Sequence, residues 1–517
     1  SCLLENAYDD WCIAQMAKAL RHDDDYNEYL HRSAFYKNVF DGHSRFFRSR
    51  LSDGIWESPF NPAEVGRAYT EATAWQYRFF VPHDINGLIS LMGGKQHFTE
   101  ALDSLFHTTA QTQGHLSDIT GLVGQYAHGN EPSHHMAYLY SYAGQPWKTQ
   151  EMVGQLLNEM YQPNPEGISG NEDCGQMSAW YVLSSLGLYP VCPGSTQFIL
   201  TSPMFPHAAI RLANGKTLTI QANQPDKNKY IREITWNGKP LPQNFITYQQ
   251  LMEGGTLKFV LDNKPNVERG IAPETYPYSQ STAEEVSVPY ISNDISFFEK
   301  EVAVHCGTAT EGAEIRYTTD GTEPSQESSL YTEAFRIDHS ATIRLKAFKN
   351  GLNPGVIATY QASKADYRKA DAIRLSKHGA QYKYYEGHFR KVADITTNGK
   401  LVHSGTCPQI DLTMVQIPDH YGLIFSGYIF APVDGIYTFA TRSDDGSVLK
   451  IAGKILVDND SSHAEIRAIG RIALKKGFHP YELWYFEDYE GEALSMSWII
   501  PGSDKEENIG AEHLFIK

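Results

Sequence analysis

Near Pro193 the hydrophobic period of the chain changes from the helical repeat to the strand repeat, so neither an all-α nor an all-β fold can accommodate it. Upstream, over 5–20, Tyr8, Trp11, Cys12 and Met16 recur at helical spacing. The stretch 147–161 repeats the pattern with Val153, Leu156, Leu157, Met160 and Tyr161. A further helix is predicted to start near Cys174, run through MSAWYVLSSLG and stop at Gly187 and Pro190. Long loops join these helices: DGIWESPFNP, HGNEPSHH and YQPNPEGISGNEDCG. Loops held on a regular scaffold are where sites collect.

Downstream, TQFILTS, AAIRL, TLTIQA, REITWNG and TLKFVL read as short strands with turns such as Asn-Gly between them. A linker is predicted over 267–285, with Pro273 and Pro277. Over 286–364, EIRYTTDGTEPS, ATIRLKAFKNG and VIATYQAS alternate as in a small β-sandwich, with Asp320-Gly321 as a turn. The charged stretch SKADYRKADAIR leads to a last all-β unit, 376–517, carried by YGLIFSGYIFAP, GIYTFATRSDDGSVLKIAG, KILVDN, HPYELWYFE and LSMSWIIPG. The expected fold class is multidomain α plus β. It has a helical region over 1–190, a β region over 191–270 closing the same module, and β-sandwiches over 286–364 and 376–517.

A chain of 517 residues has room for three or four domains with sizeable cores. Its net charge of -17 argues against binding a phosphate backbone, which needs a basic footprint. No run of about 18 apolar residues is present to span a membrane as a helix. The 31 Tyr and 8 Trp suit sheet-rich domains and sugar-binding surfaces, and suit core packing equally. Six cysteines without a CxxC pair argue against a zinc knuckle or a thioredoxin-type site. The spacing of Cys174 and Cys192 permits a bridge, but two free buried thiols are the expectation. No signal peptide is visible in SCLLENAYDDW, which reads as the inside of a helix, as in a piece of a longer chain.

Three clusters can carry chemistry. In the first, Glu71 stands beside the bulky aromatics of TEATAWQY, and apolar neighbours raise a carboxyl pKa towards that of a proton donor. The plain alternative is a solvated helix-surface glutamate. In the second, His128, Asn130, Glu131, His134 and His135 lie within eight residues, oxygens suited to calcium and imidazoles to zinc; the alternative is a helix cap at Asn130 or Ser133. In the third, Asn171, Glu172 and Asp173 precede a helix start, where acids also serve simply to complement the dipole. Glu71 with a distant acid of the third cluster makes a candidate acid/base pair.

Taken together, the runs EATAWQYRFFVPHDINGLISLMGG, HGNEPSHHMAYLYSYAGQPWKTQ and GISGNEDCGQMSAWYVLSSLGLYPVCPGS, with AYDDW and LSDGIWESPF, resemble glycoside hydrolase family 92. These are the calcium-dependent exo-acting α-mannosidases. The resemblance covers about 3–270 and implies an (α/α)6 barrel preceded by a large β-sandwich. Too few helical segments precede Pro190 for a whole barrel. A partial (α/α)6-barrel catalytic region, the C-terminal part of such an enzyme, is therefore expected. The resemblance implies an inverting mechanism with Glu71 as general acid and Asp173 as general base. It places Asn130, Glu131 and Asp173 near the calcium, and Trp56, Trp75, His83, His128, Glu131 and Asn171 around the substrate; for Trp56, Trp75, His83 and His128, core or loop packing is the equal alternative. Asn171 stands where many members carry an aspartate.

The stretch IRYTTDGTEPSQESSLYTEAF with IRLKAFKNG resembles the immunoglobulin-like C-terminal domain of chitobiase and β-hexosaminidase, a spacer or accessory. The region 376–517 resembles the protective-antigen type β-sandwich. Asp444-Asp445 occupies the place of the acidic pair that binds calcium and sugar in the adhesin versions; SDDGS also serves as a tight turn. The implied protein is an extracytoplasmic (periplasmic, cell-surface or secreted) bacterial α-mannosidase acting on mannose-containing glycans. A non-catalytic carbohydrate-binding or scaffold protein, and a related barrel glycosidase for another linkage, are the competing readings.

Overall fold

The computed structural model describes all residues except 52–53, 66–67, 114–118 and 490. Ser52 and Asp53 of the LSDGIWESPF run thus lie outside the described residues. The chain packs as two compact units, 1–293 with 305–334 and 342–361, and 294–304 with 335–341 and 362–517. The segment 286–364 contributes to both. Among the described residues no helix is long and apolar enough to cross a membrane.

In the first unit, α1 (Cys2–Leu20) buries Leu4, Ala7, Trp11, Ala14 and Ala17, spaced three and four apart. Met16, which marks the helix in the sequence, is 63% exposed: the inward face is made of alanines around Trp11. The helix α2 (Asp23–Arg32) buries no residue. It is held to α1 by the Arg32–Asp10 ion pair at 3.1 Å, with three aspartates in its first turn and His31 and Arg32 in its last. A single capped turn, α3 (Ala74–Tyr77), leads into α4 (Ile85–Leu91) and α5 (Lys95–His107), which buries Phe98, Leu102, Leu105 and Phe106. Helices α6 (Pro146–Glu159) and α7 (Gln176–Ser185) fall where the period places them; Val153, Leu156 and Leu157 are buried in α6, and Met177 and Trp180 in α7.

Beyond α7, Thr217–Ala222 pairs parallel with Gly255–Asp262 and antiparallel with His207–Arg211, and Tyr230–Trp236 flanks Gly255–Asp262. Alternation puts Leu218, Ile220, Ile231, Ile234, Leu257 and Phe259 on the inward face. The Gln150 side chain of α6 accepts from the Ile231 amide at 2.9 Å, fastening this sheet to the helices.

The stretch 267–285 is not the free linker its composition predicts. Arg269 donates to the Asn244 side chain and to the Leu241 and Gln243 carbonyls. Ser279 and Ser281 bond the Asp84 carboxylate at 2.8–3.0 Å. Small polar residues here serve as donors to buried groups. Within the same unit Glu314–Thr318 pairs antiparallel with 344–348, and Gly321 (φ 80°) makes the predicted turn, the Asp320 carboxylate accepting from the Thr322 amide and hydroxyl.

In the second unit Tyr421–Ala431 lies between Ala380–Glu386 and Gly477–Glu487, and Ser447–Ile451 and Lys454–Asn459 extend the sheet. A second sheet orders Ile466–Leu474, Gly435–Asp444, Ala493–Ile499 and Glu507–Asn508. Leu423, Phe425 and Leu483 from the first sheet meet Phe439, Met496 and Trp498 from the second in one core, as in a β-sandwich. All six cysteines are free; Cys192 is buried, but Cys174 is exposed, against the expectation of two buried thiols.

Three histidines are sealed inside the first unit. Burial holds His134 and His135 down to about 4 and His128 to about 3, against an ordinary value of 6.5. Between those values and 6.5 the unfolded chain binds the more protons, so stability rises with pH across that window and is lost as pH falls through it. Each group contributes up to about 1.4 kcal/mol per pH unit. The melting temperature of this unit is therefore expected to fall steeply from pH 6.5 to 4.5. His135→Gln, which keeps a donor for the Phe79 carbonyl, should flatten the slope. Superposable melting curves for the two proteins across that range would contradict it.

Candidate active site

The three clusters, scattered over a hundred residues, are stitched together by hydrogen bonds. Thr73 caps α3 with a reciprocal box: its hydroxyl accepts from the Trp75 amide, and the Gln76 carboxamide accepts from the Thr73 amide and hydroxyl. The Gln76 Nε2 then donates to the Gln125 carbonyl, at the head of the second cluster. The Asn130 Nδ2 donates to the Glu71 carbonyl at 2.9 Å. From the other side Gln176 Nε2 approaches His134 Nδ1 at 3.2 Å, and the Trp180 indole donates to the His134 carbonyl at 3.0 Å. Gly129 permits this crossing, since a Cβ there would collide with the Thr120 hydroxyl.

Glu71 sits at φ 52° and Asp173 at φ 51°, both in the left-handed region that non-glycine residues rarely occupy. Asp173 opens a run of three such residues with Cys174 (φ 57°) and Gly175 (φ 91°), and Gly175 caps α7. Glu172 turns back to accept from the Ser178 amide. The backbone is thus reversed at each candidate carboxylate and presents it at the surface: Glu71 and Asp173 are exposed, as is Asn171. Such outliers collect at functional sites, where surrounding structure pays their cost of order 1–3 kcal/mol.

Between them stands Glu131, half-buried in a turn of 3-10 helix. Its pKa is raised, first by burial and then by the Asp173 and Glu71 carboxylates. The Asp173 charge thus acts on Glu131, and it also reaches His134. Acids from all three clusters therefore lie within electrostatic reach of one another at Glu131. Glu131 and Asp173, oxygen donors side by side with Asn130 adjacent, have the chemistry of a hard-cation site. Their like charges are what a divalent cation would neutralise.

The structure does not bring every predicted residue here. His83 is wholly buried among Tyr8, Trp11 and Tyr36, its Nε2 facing the Ser33 carbonyl at 3.0 Å. His128 is likewise sealed, held between the Tyr126 and Tyr161 hydroxyls at 2.8 Å and edge-on to Trp180. Both are core residues, the packing alternative that the sequence left open. Trp56 lines a separate cavity of about 250 Å³ with Arg50 and Tyr360, the Arg50 guanidinium stacking on it at 3.9 Å. Trp75, in α3, packs edge-on against Phe46 at 5.1 Å. Gln176 and Trp180 tie the third cluster to the second, and in the sequence the Trp180 indole carries no mark that sets it apart from an ordinary helix residue.

In the second unit Asp444 and Asp445 end the strand Gly435–Asp444, and Asp445 takes φ 47°. The Glu487 carboxylate completes a trio whose oxygens all lie within 4.8 Å of one another. Asp445 accepts from the His463, Asp488 and Tyr489 amides. Glu487 accepts from the Tyr485 hydroxyl through one oxygen, while its other oxygen is buried without a partner. Burial, opposed by that hydroxyl and reinforced by Asp445, Asp444 and Asp419, pushes Glu487 up to about 8. The sequence hid Glu487 as the last residue of an alternating strand.

Comparison with known proteins places these features. Residues 296–359 match the chitobiase/beta-hexosaminidase C-terminal domain and 376–510 the PA14 domain. A protein of Arthroderma benhamiae named as an uncharacterized secreted glycosidase is 29% identical over 285 residues, 50% of this chain and 35% of that protein. The family 92 α-mannosidase of Bacteroides thetaiotaomicron aligns over 54% of this chain and 36% of its own at 41% identity and TM-score 0.50. Its complex with mannoimidazole gives 39% identity and TM-score 0.51, covering 38% of that chain. The chain thus spans little more than a third of the length of these relatives. Residues 1–263, just over half of the 517, match the glycosyl hydrolase family 92 catalytic domain, and the chain belongs to that family.

Proposed function

We propose that this chain carries the acid/base machinery of an exo-acting, inverting α-mannosidase for mannose-containing glycans. The observation that carries the reading is the pair of reversed-backbone carboxylates, Glu71 and Asp173, both bearing on Glu131. In a single displacement the carboxylic acid of Glu71 protonates the glycosidic oxygen as its bond to the anomeric carbon breaks. Asp173 removes a proton from the water that attacks the opposite face. Two such carboxyls stand about 6.5–9.5 Å apart to leave room for that water. Glu131 and Asp173, with Asn130 beside them, would hold a calcium ion. Bound there, calcium supplies Lewis-acid binding of sugar hydroxyls. The Asn130 bond to the Glu71 carbonyl fixes the turn that aims the acid. We take 1–190 and 191–270 as one catalytic module built on part of an (α/α)6 barrel, 286–364 as a spacer and 376–517 as an accessory sandwich. Export from the cytoplasm fits the relative named as secreted.

Incubated with an α-linked mannobiose, the protein should release mannose whose β anomer appears first by proton NMR. EDTA should abolish release and calcium restore it. Initial α-mannose would overturn inversion, and full activity in chelator would overturn the metal. Binding of mannosides without any release would favour the carbohydrate-binding alternative.

Glu71→Gln keeps the shape and removes the proton. Turnover of mannobiose should fall by about 10²–10⁴-fold, while an aryl mannoside with an acidic phenol should lose far less. Equal losses on both substrates would give Glu71 a role other than protonating the leaving oxygen.

A second reading, independent of the first, concerns the sandwich: we infer that Asp444, Asp445 and Glu487 hold calcium for sugar binding. The buried, unpartnered oxygen of Glu487 favours it. Calcium should raise the melting temperature of the wild-type second unit by a few degrees and leave Asp444→Asn unmoved. A shift of equal size in both proteins would refute the site.

A further inference from the structure

The first sheet of the second unit carries another ligand set, which none of the readings above uses. Its register aligns Glu386 with Tyr421 and Tyr421 with Glu487, so three adjacent antiparallel strands end at one rim. The residues just past that line are His388, His420 and Asp488. Their ligand atoms all lie within 4.8 Å of one another. The two imidazole rings nearly touch, with centroids 3.9 Å apart and planes at 43°. His420 Nδ1 faces Asp488 Oδ1 at 3.5 Å, is shut off from solvent and makes no hydrogen bond.

Three features hold this arrangement in place. The Gly387 amide donates to the His420 carbonyl at 2.9 Å, joining two of the strand ends. The Asp488 amide donates to Asp445 at 2.7 Å, turning the third strand end. The Tyr489 ring packs against His420 with centroids 5.4 Å apart. Asp419 next to His420, and Asp445 and Glu487 beside Asp488, give the rim an acidic surround that favours a cation. An ordinary His–Asp ion pair would account for one imidazole. It leaves unexplained a second imidazole pressed against the first.

We propose that His388, His420 and Asp488 bind one divalent transition-metal ion of the zinc class. Two neutral imidazoles and a carboxylate are the donors such ions select, whereas calcium takes oxygen ligands. Three protein ligands leave a fourth position open to water or to an oxygen of a bound ligand. The site is separate in chemistry from the all-carboxylate trio beside it: one rim offers a borderline-soft set and a hard set side by side.

The test uses the full 517-residue chain, stripped with EDTA and dialysed. Titration with cobalt(II), read by its visible absorption, and competition for zinc against a chromophoric chelator should each give one equivalent per chain. His388 is exposed, so His388→Ala should leave the metal-free melting curve unchanged while weakening zinc binding at least tenfold. Asp488→Asn should weaken it likewise, and millimolar calcium should not displace the zinc. Cobalt spectra without ligand-field bands, unchanged zinc affinity in His388→Ala, or stoichiometric displacement by calcium would each overturn the proposal. The last outcome would assign the ion to the carboxylate trio.

Discussion

The scaffold behind the candidate acid hangs on one buried carboxylate. Asp84 is 1% exposed and accepts from the Tyr36 hydroxyl, the Gly87 amide, the Ser279 hydroxyl, and the amide and hydroxyl of Ser281. Five donors compensate the desolvation of the charge, and no single one could. In return Asp84 caps α4, holds the chain that leaves α3, and draws 279–281 onto the helices. An apolar replacement would leave these donors buried and unsatisfied, at about 1–3 kcal/mol each, and would unfasten three segments at once. The turn bearing Glu71 is only as well placed as the segment that follows it, and that segment ends on Asp84.

From this anchor the site is built by polar links rather than by packing. The contacts joining the three clusters are Asn130 to the Glu71 carbonyl, Gln76 to the Gln125 carbonyl, and Trp180 to the His134 carbonyl. A side chain bonded to a backbone carbonyl fixes where the chain runs without covering the neighbouring carboxylate. Glu71 and Asp173 thereby remain exposed while their charges act on the half-buried Glu131. The aromatic cluster of His128, Tyr161 and Trp180 lies beneath and gives the loops a rigid floor. Histidines serve that floor because each ring nitrogen can meet a hydroxyl or a carbonyl while the ring stays neutral.

Much of this was legible in the sequence where periodicity is strong. The helices α1, α6 and α7 and the strands of both sheets fall where spacing placed them. The polar helix α2 did not announce itself, because it is held by Arg32–Asp10 and its terminal charges rather than by a buried stripe. The inward face of α1 was misjudged at Met16 because alanines, not large apolar residues, fill the contact. The supposed linker 267–285 has a loop's composition, yet its serines are spent on Asp84. Composition cannot distinguish a serine facing water from one facing a buried acid. For the same reason His83 and His128 were open to a site reading: nothing in the sequence shows that one faces a carbonyl and the other two tyrosine hydroxyls.

The carboxylates of the site obey a further constraint. Hydrogen bonds can satisfy a lone buried acid, as at Asp84, but they do not cancel repulsion between acids placed together. At Glu131 the neighbours that add to burial in raising the group are Asp173 and Glu71, and at Glu487 they are Asp445, Asp444 and Asp419. A folded chain can hold such a group in only two ways, by keeping a proton on it or by supplying a cation. The first makes an acid ready to donate near neutral pH, and the second makes a metal site. The choice turns on the donors in reach: Glu487 has the Tyr485 hydroxyl on one oxygen only, and Glu131 has Asp173 beside it. Crowded carboxylates with too few donors are therefore the physical mark by which both the candidate site of the first unit and the sandwich rim stand out from the rest of an acidic surface.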